Sequence, residues 1–282
     1  MITMKTPTNK RLHPKKPPLF LDELHTDRVQ LLRYDVRDLS KALVLNAGVP
    51  LLQKLEQDKY NFLTSELPDH GSDRRILRYL KRYMAVFDDA FFFGRLREHV
   101  KLKFGRASII LNLTMTRHVS AYTAGRGLPF LPRSPTRMGR MQIKIVKMAP
   151  GRCNFKEIMR KYLMLLVHEM IHAFLDIYGC NCLRYCFKRR LKPNVRLGKT
   201  GHGTAWVNAA AAIQPILMTY FGRNQYMIIG DSIRYEMNKS GWKPTEKKLA
   251  KWEVVVPEED NESDDSSEYD ISSIEDDESD SD

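Results

Sequence analysis

The 282-residue chain has few cysteines, no long apolar run and almost no acidic residues in its central part. Its four cysteines lack the spacing of a disulfide framework, which predicts a reducing compartment. The longest apolar candidate, Tyr162 to Leu175, is interrupted by two histidines and a glutamate, so we expect no membrane span and no membrane partner. The first 18 residues are basic and proline-rich and lack the apolar core of a signal peptide, so we do not expect secretion.

Charge is distributed very unevenly along the sequence. From Glu253 to Asp282 there are 15 acidic residues and no lysine or arginine, whereas residues 1–252 carry 46 basic against 19 acidic residues, a net charge of +27. Only three acids occur within residues 99–230, namely Glu157, Glu169 and Asp176. A body this basic predicts a polyanionic partner, nucleic acid above all, although a merely solvated basic surface is the alternative.

Composition and hydrophobic periodicity divide the chain into four parts. We predict a disordered basic arm over 1–20, an N-terminal helical region over 21–75, the main domain over 76–245 and a disordered acidic tail over 246–282. The predicted elements are helices over 27–45, 74–104 (as one or two) and 155–178 and from Thr204 to Ala212, and strands over 108–115 and 141–148. Pro215 is expected to kink or end the last helix, and the aromatic cluster at residues 87–93 is expected to lie in the core.

His168, Glu169 and His172 form the pattern H-E-x-x-H inside the predicted helix 155–178. Residues four apart lie on one helical face, so both imidazoles can face a single ion. Neutral imidazole is a good ligand for Zn²⁺, and three protein ligands leave a fourth position for water. Zinc lowers the pKa of that water towards neutrality, and Glu169, beside the first ligand, can take its proton. The pattern predicts one catalytic zinc ion with Glu169 as the general base.

A third metal ligand is expected among the remaining histidines or from an acidic residue downstream. His202 lies between Gly201 and Gly203 at the start of a predicted helix, and such small neighbours let the imidazole approach the first helix. No aspartate or glutamate occurs between Ile177 and Gly230, which favours His202 as the third ligand.

The segments HEMIHA at 168–173 and GHGTAW at 201–206 resemble the SprT-like zinc metalloprotease family, the group that includes Spartan and the germ-cell nuclear acidic protein. The resemblance covers residues 77–220 and includes FFFGRL at 91–96. It implies an α+β, zincin-like fold, with the active-site helix packed on a small antiparallel or mixed sheet. It also implies DNA-dependent cleavage of DNA-bound or DNA-crosslinked proteins in DNA repair, and therefore a nuclear location. The residues that match the family's zinc ligands and catalytic glutamate are His168, His172, His202 and Glu169.

Two features depart from the family pattern. No cysteine follows Cys186, so the paired C-x-x-C zinc ribbon of many members is missing. The gap between His172 and His202 is long and resembles the fungal branch of the family. It contains Cys180, Cys182 and Cys186, which could form a second, structural zinc site; because a closed site needs four ligands, free thiols are favoured.

Two further binding segments are predicted outside the metal motif. The basic loops 117–140 and 184–199 flank the site in sequence and are expected to contact DNA phosphates without sequence specificity. In the tail, the three valines of 254–256 stand beside an acidic cluster and resemble a SUMO-interaction motif, which adds a strand to a partner's sheet. Alternatively, the tail only keeps the protein soluble or folds back on the basic body. The residues predicted to contact DNA are Lys188, Arg189, Arg190 and Lys192, and those predicted to bind SUMO are Val254, Val255 and Val256.

Two other functions remain open at this point. The first is a catalytically inactive, zinc-containing DNA-binding adaptor, against which Glu169 argues because a structural site needs no carboxylate beside its ligand. The second is a metallopeptidase without a nucleic-acid role, in which the basic loops are incidental.

Overall fold

The computed structural model describes residues 19, 24, 29–105, 121–124, 141–148, 154–180, 191–194, 196–222 and 229–254. Its helices, numbered in chain order, are α1 (Val36–Ala47), α2 (Leu51–Lys54), α3 (Gln57–Thr64), α4 (Asp73–Phe91), α5 (Phe155–Tyr178), α6 (Thr204–Phe221), α7 (Ile229–Ser240) and α8 (Glu246–Trp252). Its strands are β1 (Val100–Gly105), β2 (Ala121–Ala124) and β3 (Met141–Val146). Helices combined with one small sheet agree with the predicted α+β class.

The sheet has β3 at its centre, with β1 paired parallel to it on one side and β2 antiparallel on the other. Side chains alternate between its two faces, as the period of a strand requires. Leu102, Ile143 and Ile145 are buried on the inner face, where the sheet packs against α5. Lys101 and Lys103 are exposed on the outer face.

Helix α5 is the central element of the core, and its ends are defined by specific contacts. At its start, Asn154 and Glu157 form a capping box that satisfies free backbone N–H groups. Its last carbonyls, those of Ile177 and Tyr178, accept hydrogen bonds from the N–H groups of Leu32 and Tyr34, each at 3.0 Å. The helix ends before Gly179, as the sequence predicted.

Gly179 is required there by a close approach of the chain. A Cβ atom at this position would lie 2.2 Å from the carbonyl oxygen of Leu175 and 2.7 Å from Cγ1 of Val36. Its φ of −70° is open to any residue, so the restriction is steric and comes from the last turn of α5 itself and from α1, which packs against it.

The aromatic cluster predicted as core is confirmed. Phe87, Phe91 and Phe92 are fully buried, and the half-buried Phe93 packs on Phe174 with ring centroids 6.3 Å apart. These rings join α4 to α5 and fix the position of the metal-motif helix from one side.

The end of the predicted helix 74–104 is wrong. Helix α4 stops at Phe91, and β1 occupies Val100–Gly105. The carboxylate of Asp88 turns the chain between them by accepting hydrogen bonds from the N–H groups of Leu96 (2.9 Å) and Arg97 (3.0 Å). The alternation of buried and exposed residues in β1 covers only a few positions, and the strand is defined by its long-range pairing with β3. The helical pattern of the preceding residues was therefore extended through it.

Other helix ends differ from the predicted ones because of contacts with residues distant in sequence. The predicted helix 27–45 begins only at Val36, where Asp35 caps α1, because the preceding residues pair with the end of α5. Helix α6 continues to Phe221 and contains Pro215, which therefore does not end it. The predicted strand 108–115 lies outside the described residues.

The acidic tail begins later than the predicted position 246. Residues 246–252 form α8, and Trp252 is buried, with its Nε1–H donating to Oδ1 of Asn208 at 2.8 Å. The apolar face of Leu249, Trp252 and Val254 explains the difference, since it packs on the core before the acidic run begins. The predicted boundary between 75 and 76 falls inside α4, and buried residues from α1 to α8 belong to one core cluster.

None of the helices within the described residues is long and apolar enough to cross a lipid bilayer.

Candidate metal centre

The three predicted metal ligands come together in space. Nε2 of His172 lies 3.3 Å from Nε2 of His168 and 3.0 Å from Nε2 of His202. The third side of the triangle, between Nε2 of His202 and Nε2 of His168, measures 3.2 Å. Within the described ranges, this is the one group of three or more His, Cys, Asp or Glu side chains that could hold a metal ion.

Hydrogen bonding among the histidines does not account for this triangle. An imidazole nitrogen has a single in-plane position, which holds either a proton or a lone pair, so three converging nitrogens cannot all be paired with one another. In tetrahedral zinc sites the metal–nitrogen distance is about 2.0–2.1 Å, which places ligand nitrogens about 3.4 Å apart. The observed separations of 3.0–3.3 Å are close to that value. The donor set therefore fits a metal ion held by three imidazoles.

Burial favours the neutral form of His172 and His202, the form that a metal requires. Burial lowers the pKa of His172 well below its ordinary range, and the neighbouring His202 and His168 lower it further. The pKa of His202 is also well below its ordinary range, from burial first and then from His168. Neutral imidazoles keep the Nε2 lone pair available for coordination.

Trp206 forms a common wall behind the three ligands. Its ring lies 4.6 Å from the His168 ring, 5.4 Å from His172 and 4.9 Å from His202, measured between centroids. The indole is fully buried, and its contacts restrict the rotation of each imidazole. His202 lies just before the start of α6 and Trp206 lies in its first turn, so the GHGTAW segment supplies both a ligand and its packing support.

The glycines beside His202 act as the sequence analysis expected. Gly201 has a φ of +91°, and a Cβ there would lie 3.0 Å from Cε1 of His172. A Cβ on Gly203 would lie 2.4 Å from the carbonyl oxygen of Arg196. Both positions allow the loop to bring His202 against α5.

A buried ion pair anchors the loop that carries His202. Nη1 and Nη2 of Arg196 donate to the two carboxylate oxygens of Asp35 at 2.8 and 2.6 Å. Arg196 is only 2% exposed and Asp35 only 8%. Burial alone would raise the pKa of Asp35, but the N–H of Arg37 and the guanidinium of Arg196 outweigh it and hold the pKa below its ordinary value.

A second anchor comes from α7. The carboxylate of Glu236 accepts hydrogen bonds from the N–H groups of Lys199 (2.8 Å) and Thr200 (2.7 Å) and from Oγ1 of Thr200 (2.6 Å). Oγ1 of Thr200 is also 3.0 Å from Nδ1 of His202. The loop is thus held by α1 on one side and by α7 on the other.

Glu169 lies one residue after His168 on α5 and is 6% exposed. One residue corresponds to a rotation of about 100° around a helix, so Glu169 is beside the ligand face and is not one of the converging groups.

The remaining predicted site residues are described only in part. Lys192 is exposed, whereas residues 188–190 lie outside the described part of the chain. Cys180 is a free cysteine, and the other two cysteines of the cluster are also outside it. Val254 is half-buried and packs against the core, whereas Val255 and Val256 lie outside the described residues. DNA and SUMO binding stay predictions.

Four residues that support the site were missed by the sequence analysis: Asp35, Arg196, Thr200 and Glu236. They belong to no motif, and their contacts join segments far apart in the chain. Trp206 could have been found, because it lies in the first turn of the helix predicted from Thr204, which starts two residues after His202.

No family model matches the chain, and no curated protein or solved structure matches it either.

Proposed function

We propose that this protein is a zinc-dependent endopeptidase of the SprT-like type that cleaves proteins bound or crosslinked to DNA. The convergence of the Nε2 atoms of His168, His172 and His202 next to Glu169 carries the proposal. A site formed only by imidazole ligands suits zinc among the common metals, and three ligands leave one position for substrate chemistry.

The bound zinc ion would polarise the scissile carbonyl and bring the pKa of water towards neutrality. Glu169 then takes a proton from the attacking water as its oxygen bonds to the carbonyl carbon, and delivers that proton to the amine nitrogen when the C–N bond breaks. The low exposure of His168 and Glu169, 9% and 6%, would keep bulk water from screening the attraction between the ion and the Glu169 carboxylate. Trp206 holds the imidazoles in place throughout, because it contacts all three.

Support for the DNA-binding part comes from the outer face of the sheet. Lys101 and Lys103 are exposed on β1, and Lys103 is paired in the register with the half-exposed Lys144 of β3. Three lysines on one flat face give a local positive potential that favours a polyanion. This face is opposite the one that packs on α5, so DNA held there would not compete with a substrate for the metal site.

Metal analysis and DNA-dependent cleavage test the proposal together. The purified full chain should contain one zinc ion, and it should cleave a DNA-binding protein, and itself, only when DNA is added. Zinc with equal cleavage in the absence of DNA would identify a metallopeptidase without a nucleic-acid role. Zinc without cleavage under either condition would identify a non-catalytic adaptor.

We expect Lys101→Gln, Lys103→Gln and Lys144→Gln together to weaken DNA binding and its dependence on salt. Each lost duplex-phosphate contact should reduce the slope of log affinity against log salt by about 0.9. Fluorescence anisotropy of a labelled duplex over a series of salt concentrations measures this slope.

The matched control removes three exposed lysines from helices, as Lys41→Gln, Lys81→Gln and Lys247→Gln, and changes net charge equally. If both triple variants change the slope by the same amount, the sheet face is not the DNA contact. A separate variant that neutralises the basic run at 188–192 determines whether that loop contributes as well.

A further inference from the structure

The carboxylate of Glu236 is completely buried on α7, although no motif includes it. It accepts hydrogen bonds from two backbone N–H groups and one hydroxyl of the segment Lys199–Thr200. The chain is adapted to this approach, because Gly198 has a φ of +79° and a Cβ there would lie 2.3 Å from Oε1 of Glu236. A buried carboxylate that is fitted so closely to a metal-ligand loop requires a physical explanation.

The proton positions in this chain of contacts follow from its chemistry. A carboxylate can only accept, so the single proton of Oγ1 of Thr200 is donated to Oε2 of Glu236, at 2.6 Å. The 3.0 Å contact between Oγ1 of Thr200 and Nδ1 of His202 must therefore have Nδ1–H as its donor. A neutral imidazole that carries its proton on Nδ1 has a bare lone pair on Nε2. That Nε2 is the atom that faces His168 and His172.

We propose that Glu236, acting through the hydroxyl of Thr200, positions His202 and fixes the tautomer in which its Nε2 can bind the metal. Glu236 and Thr200 are positioning residues, because neither touches the metal or the substrate. This proposal rests on the proposed function only in that His202 is a metal ligand. Partners of this kind in known metal sites change metal affinity by about 10–100-fold when they are removed.

The contacts from Glu236 through Thr200 to His202 form a relay, which the substitution Thr200→Val tests. This change keeps the shape of the side chain and the two backbone hydrogen bonds to Glu236 but removes the hydroxyl. We expect its zinc affinity, measured by competition with a fluorescent chelator, to fall by about 10–100-fold. Thr200→Ser keeps the hydroxyl and should bind zinc nearly as the wild type does. Glu236→Gln should also lose zinc affinity. The amide nitrogen of glutamine is a donor, and it would face N–H or O–H groups of the loop that also donate.

Two controls separate positioning from folding. The melting temperature of the metal-free protein should be nearly the same for wild type, Thr200→Val and Thr200→Ser. Thr219→Val removes an exposed hydroxyl on α6 that bonds only the carbonyl of Pro215, and it should leave zinc affinity unchanged.

Each outcome of this experiment has a distinct meaning. If Thr200→Val binds zinc with wild-type affinity, the relay is overturned and the proposed function stands. The same conclusion follows if Thr200→Ser loses as much zinc affinity as Thr200→Val does. If Thr200→Val lowers the free energy of unfolding of the metal-free protein by as much as it lowers the free energy of zinc binding, the contact is structural and the relay is overturned. Wild-type protein that binds no zinc overturns the proposed function itself.

Discussion

Replacing Glu169 by glutamine should reduce proteolysis by about 10²–10⁴-fold while leaving the metal in place. The amide has nearly the same volume as the carboxylate, so the packing of this buried position is retained. It cannot accept the proton of the attacking water, and the general-base step is therefore lost. The measurements are kcat/KM for a DNA-bound protein substrate and the zinc content of the same sample.

The matched control is Glu157→Gln, an equal change in the first turn of the same helix, where the side chain caps the backbone N–H of Asn154. It should cleave at close to the wild-type rate. His202→Ala should behave differently from both, because it removes a ligand and should lower the bound zinc itself. Near-normal cleavage by Glu169→Gln would exclude the general-base mechanism.

Asp35→Ala should lower the free energy of unfolding by about 3–5 kcal/mol, the typical effect of leaving a buried charge without its partner. Arg196 is 2% exposed, and its guanidinium would lose both of its hydrogen bonds to the carboxylate. Denaturant unfolding monitored by tryptophan fluorescence measures the change. The double variant Asp35→Ala with Arg196→Met should recover much of the loss, since it removes the unpaired charge.

Arg37→Gln is the control, because its half-exposed side chain reaches the same carboxylate at 3.4 Å and should contribute less than about 1 kcal/mol. The pair should also make stability depend on pH. Because the folded-state pKa of Asp35 is lowered, its contribution is present above its unfolded value of about 3.9 and is lost as the pH falls through the lower folded pKa. Equal stability of Asp35→Ala and wild type at pH 7 would show that the ion pair does not hold the fold.

The sequence was sufficient to predict which three histidines converge, because the geometry that brings them together is mostly local. His168 and His172 need only the helical period, and His202 was found from its two glycines and the lack of acids nearby. The contacts that hold His202 are different in kind. Asp35 and Arg196 are 161 residues apart, and Thr200 and Glu236 are 36 apart, so no local pattern relates them.

Two of the elements that the sequence analysis missed, β1 and α8, have a similar cause. Strand β1 is defined by its parallel pairing with β3, which a window of neighbouring residues does not include. Helix α8 was assigned to the acidic tail because composition averages over a segment, whereas the contact with the core depends on Leu249, Trp252 and Val254.

The loop with the third histidine is held from opposite ends of the chain, by Asp35 before α1 and by Glu236 on α7. During synthesis on the ribosome, His168 and His172 emerge long before Glu236 does. A nascent chain released up to α6 would carry all three histidines but only one of the two anchors. We expect the metal site to be assembled as one of the last events of folding, so that a partly made chain does not yet hold its three histidines in the arrangement that could bind a metal ion.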